Sequence, residues 1–250
     1  MKKYFVTLLI CIFLISVVSA SMIIPANDKA KENSKAPEKS QEISENWGLE
    51  RIDFVHYAKP NNPSKPPKNP TQENCYKLLG VKWKSLPVNY VINPTNTQGL
   101  SEQFITSTIS ASAETWDSAT SLELFSNSYI TNYNAEFGQD FQNTILFGDY
   151  KEEGVIGVTS IWYMRKGKQI VEFDIILDTD FNWGDATLNP SLMDLENIAT
   201  HELGHGVGMG DIYTSTCSEV TMYGYSTEGE TKKRTLEQPD IAGLQNMYSF

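Results

Sequence analysis

The spacing of apolar residues predicts one α/β unit in the second part of the chain. Apolar residues that alternate or run together predict strands at 81–92, 143–147, 155–164 and 170–177, with 122–125 as the start of another. Helical spacing predicts helices at 100–120, 189–207 and 239–248. Ser101 is the expected cap of the first helix, and Ser191 with Asp194 forms a capping-box variant for the second. Strands between an early helix and two late helices predict an α/β arrangement.

Residues 1–20 have the layout of a secretory signal peptide. Lys2 and Lys3 precede an apolar run over 4–18, and small residues follow, ending at Ala20. The run of about 15 residues is shorter than the ~20 that a spanning helix needs. We predict cleavage after Ala20, a secreted or cell-surface protein, and no stable membrane insertion after cleavage. An uncleaved signal anchor is the alternative.

Residues 21–70 have the composition of a pro-segment or a linker. They contain seven of the eleven prolines, together with interspersed lysine and glutamate, which favours an extended tether. Only 47–57 carries enough apolar residues to dock on another surface. An inhibitory pro-segment and a plain tether both remain open. His56, within this stretch, is assigned to ordinary packing or to the surface.

Charge and cysteine content narrow the class of protein. The whole chain has a net charge of −11, and residues 71–250 hold ten basic and twenty-four acidic side chains. This balance argues against nucleic-acid binding, which needs a basic face. Cys75 and Cys217 are the two cysteines left after export, and an oxidising compartment favours a disulfide between them. Two buried free thiols are the alternative, and the sequence says nothing about oligomeric state.

The residue types that carry chemistry are concentrated at 201–211. His201 and His205 are four residues apart on a predicted helix, so both imidazoles leave the same face. This spacing suits two ligands of one tetrahedral zinc ion, and Glu202 lies about 100° around the helix, beside the metal. Glycines at 206, 208 and 210 allow a turn that brings Asp211 back as third ligand. The fourth position stays open for water, which is typical of a catalytic site.

These residues resemble the motifs of a known family of proteases. HELGHGVGMGD at 201–211 resembles the extended zinc motif of the metzincin clan, and 221–225 resembles its Met-turn, with Met222 beneath the metal ligands. Residues 236–248 resemble the last helix of matrixin catalytic domains, and 81–125 more loosely resembles their first strand and helix. The resemblance is greatest to matrixin-like proteases of archaea and bacteria. It implies a metzincin-like zincin domain over 71–250, with a twisted mixed β-sheet, an active-site helix and a C-terminal helix.

The sequence also departs from the pattern of animal matrixins. Asp211 stands where they have histidine, which is similar to the snapalysin group. No cysteine occurs in 21–70, so the thiolate latch of animal matrixin pro-segments is absent and any latency must use another group. No histidine lies in the strands before the zinc helix, so a second, structural zinc is not expected. Tyr223 or Tyr225 is a candidate to polarise the substrate carbonyl, with packing as the alternative role.

Two further segments have weaker signals. Asp178, Asp180 and Asn182 are spaced like the start of a calcium loop and resemble a calcium-binding segment of matrixins. A closing glutamate is missing, and a turn capped by Asp and Asn is the alternative. Residues 155–161 resemble the matrixin edge strand that pairs with the substrate backbone. An interior strand is the alternative there.

The sequence therefore predicts a secreted zinc-dependent endopeptidase. One catalytic Zn²⁺ held by His201, His205 and Asp211 would activate a water, and Glu202 would act as general base. The partners are peptide or protein substrates, and Ca²⁺ is a second candidate ion. The alternatives are a non-catalytic extracellular binding module stabilised by a metal, and a zinc hydrolase that acts on a non-peptide substrate.

Overall fold

The computed structural model describes residues 48–59 and 74–248. The predicted signal peptide, 1–20, lies outside these residues, as does most of the predicted pro-segment or linker. The strands, numbered in chain order, are β1 (Leu49–Ala58), β2 (Lys77–Leu78), β3 (Val91–Asn93), β4 (Ile130–Thr131), β5 (Thr144–Gly148), β6 (Val155–Met164), β7 (Gln169–Asp178), β8 (Trp183–Gly184), β9 (Met193–Asp194), β10 (Met209–Gly210) and β11 (Tyr225–Ser226). The helices are α1 (Glu102–Asp117), α2 (Leu195–Gly206) and α3 (Gln238–Tyr248), and short 3₁₀ turns span Ser215–Cys217 and Lys232–Arg234. Within the described residues, no helix has the length and apolar character needed to cross a membrane.

A seven-stranded mixed sheet organises the fold. Its strand order is β11-β1-β6-β7-β5-β3-β4. The pairs β1–β6 and β6–β7 are antiparallel, whereas β7–β5, β5–β3, β3–β4 and β1–β11 are parallel. The expected α/β fold with a mixed sheet and a C-terminal helix is confirmed. Strand β1 comes from the 21–70 segment and makes β6 an interior strand of this sheet.

The three strands predicted within 143–177 are present, but the prediction of a strand over 81–92 is mostly wrong. Only the last two residues of this range join the main sheet, as part of β3 (Val91–Asn93). Upstream, Lys82 and Val88 each make a single bridge to another segment. Pro87 has no N–H to donate to a ladder, so the alternating apolar residues pack into the core without forming a continuous strand. The expected start of a strand at 122–125 is likewise reduced to one bridge, between Val88 and Phe125.

Helices α1 and α2 pack on each other and share one hydrophobic core with the sheet. The indole Nε1 of Trp116 on α1 donates to the carbonyl of Thr200 on α2 at 2.8 Å, which fixes the two helices together. Ser101 caps α1 as predicted, with its hydroxyl accepting from Phe104 N. Ser191 does not cap α2. The helix begins four residues later, because the Asp194 carboxylate accepts from Asn197 N at 2.9 Å.

A disulfide joins Cys75 to Cys217 across a separation of 142 residues. It ties the start of the domain to the segment that follows the zinc motif, as expected from the cysteine count. In the chain-entropy model, closing so long a loop restricts the unfolded chain and stabilises the fold by about 4–5 kcal/mol.

Removing the bridge with Cys75→Ser and Cys217→Ser together is expected to lower the free energy of unfolding by about 2–5 kcal/mol. Guanidinium unfolding of the variant and the parent, followed by tryptophan fluorescence, measures the difference. A change below about 1 kcal/mol would show that the bridge does little for stability.

Candidate active site

Helix α2 and the turn after it bring His201, His205 and Asp211 to one point. The histidines occupy successive turns of one helix face, and both side chains are fully buried. The chain then reverses through Gly208, whose φ of +102° suits glycine, and whose missing Cβ would lie 2.5 Å from the Val81 carbonyl oxygen. Strand β10 follows and delivers the Asp211 carboxylate beside the two imidazoles.

The three side chains fit a zinc ion. Asp211 Oδ1 lies 3.2 Å from His201 Nε2 and 3.4 Å from His205 Nε2. Ligands at about 2.0–2.1 Å from a tetrahedral zinc are separated by about 3.3–3.4 Å. All three atoms are buried and have no conventional hydrogen-bond partner, a state that costs free energy unless a cation lies between them. The predicted ligand set is therefore assembled, with lone pairs converging on one point.

The other nitrogen of each histidine is held by a backbone carbonyl. His201 Nδ1 lies 2.7 Å from the Thr221 carbonyl oxygen, and His205 Nδ1 lies 2.9 Å from that of Met209. A carbonyl only accepts, so each Nδ1 carries the proton and each Nε2 is left free for a metal. Burial lowers the pKa of His201 to about 4, which keeps this imidazole neutral. Burial opposes ionisation of both His205 and Asp211, but without a metal their mutual attraction raises the pKa of His205 and holds that of Asp211 far below the usual range.

Tyr213 supports the third ligand, and nothing in the sequence motif points to it. Its hydroxyl donates to Asp211 Oδ2 at 3.1 Å. Gly224 leaves room for the ring, since a Cβ there would lie 2.4 Å from Tyr213 Cε1. This hydrogen bond orients the carboxylate so that Oδ1 faces the histidines.

Replacing Tyr213 with Phe is expected to weaken zinc binding about tenfold, because loss of an outer hydrogen bond to a ligand costs about 10–100-fold. Competition with a chromogenic chelator measures the zinc dissociation constant. Tyr223→Phe is the matched control, since the Tyr223 ring packs nearby in a separate apolar cluster. Equal zinc affinity in Tyr213→Phe and the parent would contradict this role.

Glu202 lies beside the metal ligands and is fully buried. Its Oε2 accepts from Thr159 Oγ1 on β6, and its Oε1 is 3.0 Å from His56 Nδ1 on β1. Burial raises the pKa of the Glu202 carboxyl to about 7, the range that suits a general base. Gly157 on β6 allows the close approach, since a Cβ there would lie 3.2 Å from Oε1.

Two residues of β1 enter the site, contrary to the assignment of His56 to ordinary packing or the surface. The His56 ring lies 4.0 Å from the His201 ring, and its side chain is fully buried. The Phe54 ring stacks on His205 at 4.0 Å, with 10° between the planes. The one signal in the sequence was that 47–57 is the apolar part of 21–70 and holds the third histidine of the chain.

Lys233 is a second residue that the sequence did not single out. Its ammonium is buried under residues 223–226, where it donates to the carbonyls of Tyr223 and Tyr225 at 2.5 and 3.0 Å and to Ser226 Oγ at 2.7 Å. Its Nζ also lies 3.3 Å from His56 Nε2. Burial lowers the pKa of Lys233 to about 8. The lysine thus joins the 223–226 segment to β1.

Met222 lies under the zinc helix. A Cβ on Gly204, between His201 and His205, would lie 2.3 Å from the Met222 sulfur, so the glycine lets this side chain pack against α2. Tyr223 is buried in an apolar cluster with Cys217, and the half-buried Tyr225 packs against that cluster. The tyrosine hydroxyl that bonds the metal-binding carboxylate is that of Tyr213.

The calcium assignment gains no support. Carboxylate oxygens of Asp178 and Asp180 lie within 4.8 Å of one of Asp149, a residue outside the predicted set of Asp178, Asp180 and Asn182. The Lys151 ammonium is bonded to Asp149, which places a positive charge at the same point. The alternative, a turn, is visible in the bond from Asp180 N to Asp178 Oδ1 at 2.9 Å.

Comparison with known proteins identifies the family. The family model described as matrixin matches residues 82–249. This chain belongs to the matrixin family. It is also similar to Metalloendoproteinase 1 of Glycine max, with 40% identity over 78 residues, which cover 29% of this chain and 24% of that protein. Metalloendoproteinase 2-MMP of Arabidopsis thaliana is 38% identical over 78 residues, which cover 29% of this chain and 20% of that protein.

The chain spans about a quarter or less of the length of these curated relatives. The matrixin match includes the whole metal centre of α2, Asp211 and the Met-turn. Strand β1 lies outside it, so Phe54 and His56 are additions to the region that this matrixin shares with the family model.

Proposed function

We propose that this matrixin is a secreted zinc endopeptidase in which His201, His205 and Asp211 hold one zinc ion. The observation that carries the proposal is the convergence of three buried, unpartnered ligand atoms beside a buried glutamate. A site that served only to hold the fold together would not need Glu202 next to the metal. Membership of a protease family supports peptides or proteins as the substrates.

The residues of the chain divide the chemistry between them. When bound, zinc supplies Lewis acidity, which lowers the pKa of water and polarises a carbonyl. Glu202 takes the proton from the attacking water and passes it to the leaving amine nitrogen. Thr159 holds one oxygen of Glu202. The other oxygen contacts His56 of β1 in this structure, and it faces the reacting groups when β1 has left the site.

Strand β6 is the proposed binding edge for the substrate backbone once β1, which pairs with it in this structure, has left. Gly157 and Thr159 of this strand lie directly against Glu202, so a peptide paired with β6 passes over the base and the metal. Backbone pairing gives affinity with little demand on sequence. An extended segment of an unfolded protein is therefore the proposed substrate.

Secretion rests on the signal-peptide layout of residues 1–20 and on the disulfide of the domain. Mass spectrometry of the protein recovered from the medium of expressing cells tests it. A mature chain that begins at Ser21 is expected. Retention of the whole chain in the cell membrane would contradict the proposal.

Metal-dependent cleavage of an unfolded protein tests the proposed activity. The full-length Phe54→Ala/His56→Ala variant, which lacks the two β1 side chains that cover the site, is loaded with one equivalent of zinc and incubated with reduced and alkylated carrier protein, and the products are identified by mass spectrometry. Internal cleavages that stop with a chelator and return with zinc are expected. Products that form equally with and without the metal would overturn the assignment.

A further inference from the structure

We propose that residues 49–58 occupy the peptide-binding slot beside β6 and that His56 holds the general base out of use. The ligand class of this slot is an extended peptide, and its occupant here is a segment of the same chain. The inference rests on the proposed function for the meaning of Glu202. The seating of the strand itself rests on contacts within the described residues.

The backbone of β1 makes the pairs that a substrate would need. It runs antiparallel to β6, from Leu49 opposite Met164 to Tyr57 opposite Val155. Its end then pairs parallel with β11, and the Lys59 amide donates to the Ser226 carbonyl at 2.8 Å. The β6 border of the slot is therefore used along the length of β1, and the β11 border is used at its last two residues. A second extended peptide has no free edge of β6 to pair with.

Successive side chains of β1 point to opposite faces of the sheet. Phe54 and His56 face inward and cover the two histidines of the zinc site with their rings. Val55, between them, faces the other way and is only half-buried. An aromatic and an imidazole side chain thus fill the space directly over the metal centre, where the scissile bond of a substrate must lie.

The hydrogen bonds of His56 define which nitrogen holds its proton. The three hydrogens of the Lys233 ammonium are directed at Tyr223 O, Tyr225 O and Ser226 Oγ, and its positive charge, 3.3 Å from His56 Nε2, disfavours a hydrogen on that nitrogen. His56 Nδ1 must then carry the proton and donate to Glu202 Oε1 at 3.0 Å. Thr159 bonds the other oxygen of Glu202. Both oxygens of the base are engaged, and the Lys233 ammonium faces His56 Nε2, so His56 acts on Glu202 and not as a zinc ligand.

Attachment to the same chain makes the strand an effective competitor. A tethered segment acts at an effective concentration of roughly millimolar, above the level of most free substrates. The 14 residues between the two described parts, 60–73, contain five of the prolines in the 21–70 segment when Pro60 is included. Loss of the contacts made by β1 would expose β6, the base and the metal-binding residues together.

The test compares the zinc-loaded full chain with Phe54→Ala/His56→Ala and with the control Val55→Ala. The control shortens a neighbouring side chain on the opposite face and keeps the same backbone pairing. Two readouts are made: deuterium exchange of the backbone amides in 49–58 and 155–164, and hydrolysis of an unfolded protein. In the double variant the rate of amide exchange and the rate of hydrolysis are both expected to rise about tenfold or more, because buried aromatic anchors dominate such interfaces. The control stays within about twofold of the parent.

The two readouts separate this inference from the proposed function. Faster exchange with no hydrolysis in any variant would support the seating of the strand and contradict the peptidase. Equal hydrolysis by the parent and the double variant would support the peptidase and overturn the blocking role of residues 49–58. Exchange of the β1 amides in the parent at the rate of an unpaired chain would also overturn it.

His56→Ala alone is the second variant, for use if the double variant does not fold. It removes the hydrogen bond to Glu202 and leaves Phe54 in place. Its zinc dissociation constant is expected to stay within about threefold of the parent value, since His56 is not a ligand in this account. A loss of more than about tenfold would show that His56 binds the metal and would overturn its assignment to Glu202.

Discussion

Replacing Glu202 with Gln lowers kcat for peptide hydrolysis about 10²–10⁴-fold in the chain that carries Phe54→Ala/His56→Ala. The double variant is the background because it exposes the site. The amide keeps the length of the side chain and an oxygen that accepts from Thr159, but it cannot take a proton from water. The loss therefore reports on the proton transfer and not on the shape of the site.

Two controls accompany this measurement. Glu196→Gln, on the first turn of the same helix, removes a carboxylate outside the metal centre and is expected to keep kcat within about threefold. The Glu202→Gln chain itself is expected to bind one zinc per chain with unchanged affinity, because Glu202 is not a ligand. A kcat within tenfold of the background would mean that another group acts as base.

Replacing Asp211 with Ala is expected to weaken zinc binding more than 100-fold. Loss of an outer partner of a ligand costs about 10–100-fold, and Asp211 supplies a ligand atom as well as the negative charge at the site. Two neutral imidazoles remain, and they hold the metal poorly without the third donor. Competition with a chromogenic chelator gives the dissociation constant.

Asp180→Ala is the matched control, since this carboxylate is exposed and belongs to the separate group around Asp178. Its zinc affinity is expected to equal that of the parent. If Asp211→Ala also binds zinc within about threefold of the parent, the third ligand is a different residue.

The metal centre could be predicted from sequence because its parts are close together in the chain. His201 and His205 are one helical turn apart, and Asp211 follows after a short glycine-containing turn. Helical geometry alone then places the imidazoles together. Glu202 is adjacent for the same reason. Each of these residues belongs to one continuous stretch, so no long-range pairing had to be known.

The rest of the site depends on pairings between distant segments. His56 lies 146 residues from Glu202 in sequence, and Lys233 lies 177 residues from His56. Neither contact follows from local spacing, because it requires that β1 pair with β6 in one register. Tyr213 also could not be predicted, since its role depends on the space left by Gly224.

Local patterns also misplaced the start of the zinc helix. Ser191 with Asp194 matches a capping box, yet Asp194 is itself the cap. The reason is tertiary, because the Arg234 guanidinium bonds the Asp194 carboxylate and fixes it at the first turn of α2. Residue types that favour a helix start identified the region but could not select between two candidates three residues apart.

The most direct test of the account is a time course of unfolded-protein cleavage, followed by mass spectrometry. It compares zinc-loaded Phe54→Ala/His56→Ala with and without Glu202→Gln, at equal zinc content and equal folded fraction. We expect internal peptide-bond cleavage by the first chain and a rate at least about 100-fold lower for the second. Absence of cleavage by the first chain, with fast exchange at β1, or equal cleavage by both chains, would contradict it.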